Sequence, residues 1–238
     1  MRRLSLHHFL SDRILSCLEA GDSAGALFRG PSAGIASASG AQILLLGILC
    51  AAVSILFCIL LHQCEKRLKQ KFPNPYLRIL AASGILLLLL LLLRSRDYLG
   101  VGTNVISSAI AGKVVWYAFL AKMLFTAVTL GGGFKGGEIV PSFFIGATFG
   151  CLFGQLLHLS PSFCASVGMI ALFCGVTNCP LASLLIAIEL FGAQGTPYYL
   201  LAIAVSYLLS GYYGLYREQK FLYSKFAEKP ASHKTRRS

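Results

Sequence analysis

Acidic side chains are scarce in this sequence: Asp and Glu together number 9 among 238 residues, against 21 Lys and Arg. Charged residues of either sign make up 13%, about half the share of a typical soluble domain. That shortage excludes a disordered chain and an ordinary water-soluble enzyme. Also missing are paired carboxylates, a histidine cluster and any nucleophile–base constellation, so no enzyme activity and no catalytic residue are expected. Eight cysteines are present, but no C-x-x-C pair is, and most of the thiols sit inside apolar runs. Thiols in such runs behave as small hydrophobes, so neither a disulfide framework, a metal site nor a cofactor is expected. The glycines of residues 30–40 have no following lysine and match no phosphate loop.

What the chain has in excess is apolar surface. Hydrophobic residues make up 56% and mean hydropathy is +0.71, which marks an all-α integral membrane protein. Between Tyr117 and Gly214 only Lys122, Lys135, Glu138 and Glu189 are charged. The basic residues gather at Lys66, Arg67, Lys69 and Lys71 and in a tail running from Arg217 to Arg237. Basic segments flanking apolar spans follow the positive-inside bias. They predict a multi-pass protein of the plasma membrane with a cytoplasmic C-terminus, and no nucleic-acid partner.

Three segments follow from this pattern. Residues 1–40 are Ser-, Ala- and Gly-rich and predict a poorly structured stretch. Residues 41–214 predict a transmembrane helical repeat, and residues 215–238 a terminal amphipathic helix over 217–227 with a basic tail. Within the repeat, spans are expected over 41–64, ended by the charged cluster at 65–71, and over 76–93 with its run of leucines. A helix over 105–111 is too short to cross. Further helices are expected over 116–130, 140–159, 162–176, 180–189 and 196–214. Lys122 is expected to snorkel or to pair. Helices of uneven length with short breaks between them point to a transporter or channel rather than a simple bundle.

The loudest signal is Gly131-Gly132-Gly133-Phe134-Lys135-Gly136-Gly137-Glu138-Ile139-Val140-Pro141. So many glycines cannot extend a helix without cost. Irregular backbone within a membrane is tolerated only beside protein or a water-filled cavity. Pro141 suits the first turn of the next helix, and Gly146 and Gly150 set up a small-residue packing face. A helix start presents unpaired N–H groups with a partial positive charge. Glycines ahead of it let an anion reach the amides of Glu138 and Ile139; the alternative is a tight turn between packed helices. Glu138 itself reads as a proton carrier, a residue that repels anions, or a helix cap, with Lys135 as a candidate partner.

These residues resemble the CLC chloride channels and anion/proton exchangers. That family carries G-x-F-x-P at a helix start, followed by a glycine-rich helix with G-A-x-x-G. Gly137-Glu138-Ile139-Val140-Pro141 and Gly146-Ala147-Thr148-Phe149-Gly150 stand in register with it, Ile139 replacing the central Phe. The variant is closer to a bacterial branch that includes fluoride exporters. Asn178-Cys179-Pro180-Leu181 through Glu189 is similar to the family's proline-led helix ending in glutamate. Phe221-Leu222-Tyr223-Ser224 looks like the short terminal helix whose tyrosine hydroxyl faces the central ion.

The resemblance implies the second half of an inverted-repeat fold with broken, tilted helices. It implies chloride or another halide as the ligand, with Gly137, Glu138, Ile139 and Tyr223 around it, while Gly136 belongs with Pro141 to the helix start. It also implies a homodimer surface on residues 162–176 and 180–214. The function expected is transmembrane anion transport, as a voltage-gated chloride channel or an anion/proton antiporter. The family's first-repeat motifs, G-S-G-I-P and the gating G-[KR]-E-G-P, do not occur in the sequence. A C-terminal part that works with an N-terminal CLC half is therefore expected; the alternative is a non-conducting membrane fragment or assembly partner.

Overall fold

The computed structural model describes residues 40–95 and 97–215, and the backbone alone of 220–223 and 230–234. The N-terminal stretch expected to be poorly structured, Gly40 excepted, and most of the basic tail lie outside the described residues. Among those described, eight α-helices follow one another: α1 Gly40–Lys71, α2 Pro75–Leu93, α3 Thr103–Ile110, α4 Ala118–Gly132, α5 Ile139–Leu156, α6 Pro161–Thr177, α7 Pro180–Phe191 and α8 Thr196–Leu209. The membrane part is thus all-helical, as expected. Three helices, α1, α2 and α5, are long and apolar enough to cross a membrane. The other five have 8, 15, 17, 12 and 14 residues, at or below the short end of the range for a spanning helix.

The charged cluster does not end the first span. α1 runs through it to Lys71, because Glu, Lys, Arg and Gln are good helix formers and Lys69 pairs with Glu65 one turn back. Similarly, α4 does not stop at Leu130 but includes Gly131 and Gly132. Both glycines serve close packing. A Cβ on Gly131 would stand 3.1 Å from the Glu65 amide nitrogen of α1, and one on Gly132 would stand 2.4 Å from the Ala82 Cβ of α2. The end of α4 is therefore wedged between α1 and α2. Gly133, with φ 95°, closes it by donating its N–H to Leu130. Arg78 of α2 then donates to the Gly132 carbonyl at 3.4 Å.

The core is centred on α6, against which α1, α3, α5, α7 and α8 all pack. Every residue of α6 from Cys164 to Thr177 is buried, the pattern of a helix with no solvent or lipid face. The tightest seam is with α5, where Gly146 and Gly150 meet Gly168 and the Cys164 carbonyl. By contrast, α2 buries only Ala82 and exposes most of its leucines, the surface of a lipid-facing span.

α6 ends at Asn178, whose backbone is left-handed (φ 56°). Asn tolerates that conformation better than other residues with a Cβ. Its side-chain amide donates to the Tyr213 carbonyl at 2.8 Å and its oxygen accepts from the Ser210 hydroxyl at 3.4 Å. The Leu215 amide donates to the Val176 carbonyl, so the end of α6 anchors the segment that follows α8. Asn178→Ala is expected to cost about 2 kcal/mol, since it removes buried hydrogen bonds and leaves a strained backbone. Asn178→Gly should regain part of that loss; unfolding of the detergent-solubilised protein measures both.

Beyond α8, which ends at Leu209 rather than Gly214, the expected terminal helix is not formed over 220–223. Lys220–Tyr223 is a strand paired antiparallel with Pro230–Lys234. Lys-Phe-Leu-Tyr has two aromatic residues in four, a composition that favours an extended backbone.

Candidate anion site at the glycine turn

The chain between α4 and α5 has no regular structure from Phe134 to Gly137. α5 opens at Ile139 with Glu138 as its N-cap. Glu138 thus stands at the N-cap position, though its carboxylate makes no capping hydrogen bond to the helix amides. Its backbone carbonyl accepts the first helical bond, from the Ser142 amide at 3.3 Å. The amides ahead of Ser142 have no intrahelical partner by helix geometry. Pro141, with no N–H, sits buried in that first turn. Gly146 and Gly150 lie further along α5 in the seam with α6, away from the turn, and act on the site only by fixing the helix.

Two cavities meet at Gly136 and Gly137. The larger, about 790 Å³, is lined by Leu61, His62, Glu65, Gly136, Gly137, Glu138, Ile139, Val140 and Leu215. The smaller, about 310 Å³, is bordered by Tyr98 to Val101, by Lys122, Thr126 and Thr129 of α4, and again by Gly136, Gly137, Val140 and Pro141. His62 and Glu65 lie near the α1 end that leads into the basic 66–71 segment. Tyr98 to Val101 follow the opposite end of α2. The glycine turn is therefore a thin wall between cavities that face opposite ends of the bundle. Its depth follows from Gly132, which touches Ala82: Ala82 lies about 10 Å along α2 from Pro75 at 1.5 Å per residue.

Around this wall the expected residues fall as follows. Gly136, Gly137 and Ile139 are exposed to the cavities and Glu138 is half-buried. Tyr223 is in the terminal ribbon; its side chain lies outside those described. Lys135 is exposed and forms no ion pair among the described residues. Glu189 is exposed on α7 and borders neither cavity.

Lys122 departs most from expectation. It does not snorkel, and among the described residues it pairs with no carboxylate. It is 2% exposed, donates to the carbonyls of Tyr98 and Gly100, and lies 5.0 Å from the Phe144 ring centroid. The Tyr98 phenol stays neutral: burial, with the Tyr117 hydroxyl alongside, pushes it up to about 12. The lysine's carbonyl partners come from a loop more than twenty residues away, so no local pattern in the sequence announces them.

Residues 19–211 match the family profile described as "Voltage gated chloride channel". A chloride/fluoride channel protein of Pseudomonas syringae pv. tomato is 36% identical over 185 residues, which are 75% of this chain and 41% of that protein. The H(+)/Cl(-) exchange transporter ClcA of Yersinia pestis is 27% identical over 160 residues, 62% of this chain and 34% of the relative. The crystal structure of a CLC-type fluoride/proton antiporter superimposes with TM-score 0.72 at 32% identity, covering 74% of this chain and 45% of that one. The chain thus spans less than half the length of these relatives.

Proposed function

The chain belongs to the voltage-gated chloride channel family, and from that premise we propose that it forms the anion-binding half of a carrier moving fluoride or chloride across a membrane. The observation that carries the reading is the glycine wall. Bare backbone at Gly136 and Gly137 borders both cavities, and the Glu138–Ile139 amides next to it open on the larger one. Amides hold an anion without a fixed cation that would keep it. Fluoride is favoured over chloride because the Gly-Glu-Ile-Val-Pro variant and the 36% and 32% identities both lie with relatives named for fluoride.

Glu138 supports proton coupling. It stands in the wall of the larger cavity with His62 and Glu65. A carboxylate fixed in an open pore would repel anions, whereas one that takes up a proton joins the transport cycle. The positive-inside bias puts the basic end of α1, residues 66–71, on the cytoplasmic side.

The larger cavity is open along one side of the site, and the relatives are more than twice as long as the part matched. A companion N-terminal half, joined to this chain or separate, completes the pathway. The test is flux from proteoliposomes followed with fluoride- and chloride-selective electrodes. Residues 1–238 alone are expected to give no selective flux, and the two halves together to give fluoride efflux that drives proton entry. Strong selective flux from the chain alone contradicts the need for a partner. Its absence from both preparations favours the non-conducting alternative.

A further inference from the structure

The smaller cavity carries a second set of donors that the glycine turn does not use. Lys122 is buried in an apolar setting, and among the described residues no carboxylate lies at salt-bridge distance from it. An ammonium has three N–H donors; two carbonyls, Tyr98 and Gly100, take two of them. Carbonyl dipoles stabilise the charge without neutralising it, and a buried charge left unneutralised is costly. One turn along the same face of α4, Thr126 is 7% exposed. Its hydroxyl has no hydrogen-bond partner among the described residues, unlike Thr129 and Thr148, which donate to carbonyls in their own helices. A buried hydroxyl without a partner is uncommon and marks a place where something else accepts its proton. Both side chains border the same cavity of about 310 Å³, which ends at Gly136 and Gly137.

The geometry points to a second anion subsite in this cavity, where the third Lys122 N–H and the Thr126 hydroxyl hold a small monovalent inorganic anion one step away from the glycine turn. The anion neutralises the lysine and satisfies the threonine together. The site rests on the reading of the chain as an anion carrier, but its ligands are side chains of α4 rather than amides of α5. An anion here waits on the face of the wall opposite the larger cavity. Two anions in adjacent sites repel, which speeds release from the inner one.

Bromide is the probe, located by its anomalous scattering in crystals of the full chain grown in sodium bromide. The expected result is two peaks, one against Gly137–Ile139 and one between Lys122 and Thr126. Thr126→Val keeps size and branching and removes the hydroxyl. It is expected to lower the second peak at least severalfold relative to the first, and Lys122→Met to abolish it. A peak at the turn alone, or a second peak unchanged in Thr126→Val, overturns the subsite. A peak at Lys122 with none at the turn upholds the subsite and overturns the reading of the turn. Should Lys122→Met fail to fold, the wild-type and Thr126→Val maps decide.

Discussion

Gly150→Ala is expected to destabilise the protein severely, although in an isolated helix it would stabilise by about 1 kcal/mol. A Cβ at Gly150 would stand 2.2 Å from the Cys164 carbonyl oxygen and 3.0 Å from its carbon. Those atoms are backbone of α6 and cannot rotate away. A Cβ at Gly146 would likewise stand 2.6 Å from the Gly168 carbonyl oxygen on the same seam, so α5 and α6 lie backbone to backbone at both glycines. The helices would have to part, and α6 is the element around which five others pack. Overpacking a close-packed site costs about 1–3 kcal/mol and more where the backbone must move, so about 3 kcal/mol or more is expected here. Gly84→Ala is the control. Gly84 lies in the lipid-facing helix α2 with nothing within 4 Å of its Cβ position, and alanine there should stabilise. Thermal unfolding in detergent compares the two variants. Equal stabilities would mean that α5 and α6 are not in backbone contact.

That contrast shows what the sequence could and could not convey. Gly146 and Gly150 read as a packing face because small residues four apart share one side of a helix. Gly131 and Gly132 read as a helix end, since glycine is costly in a helix; the packing of α4 between α1 and α2 repays that cost, and only the fold reveals it. The charged 65–71 cluster looked like a stop for the span. It ends the apolar stretch but not the helix, because charge and helix propensity are independent properties. Pro141 and Pro180 each mark a helix start within two residues, since proline's missing N–H fits there and nowhere deeper.

The site was legible in half. The glycine run and the apolar helix behind it announce bare amides, and those amides are local. The cavities on either side are not local. They need His62 and Glu65 from α1, Tyr98 to Val101 from the loop after α2, and Leu215 after α8. Lys122 was visible as a lone charge in an apolar run, but its carbonyl partners were not. Thr126 gave no signal at all, because a threonine in a helix normally bonds to the preceding turn.

Gly137→Leu is expected to abolish transport while leaving the fold in place, the reverse of the Gly150 result. No atom lies within 4 Å of a Cβ built on Gly137, and its φ is not in the left-handed region, so a side chain is accommodated there. What it meets is the cavity. A leucine at the wall occupies the space in front of the Glu138 and Ile139 amides and makes their surroundings apolar. Hydrogen bonds from amides to a charged acceptor are each worth about 1.5–3 kcal/mol. Losing them at the ion's resting place lowers the rate at least about tenfold. The measurement is anion efflux from the two-half proteoliposomes, beside thermal unfolding of the same preparation. Gly137→Ala should fall between wild type and leucine, since one methyl group narrows the approach without filling it. Unimpaired flux in Gly137→Leu, with the protein folded, would show that the anion does not pass this turn, however open the cavities on its two faces.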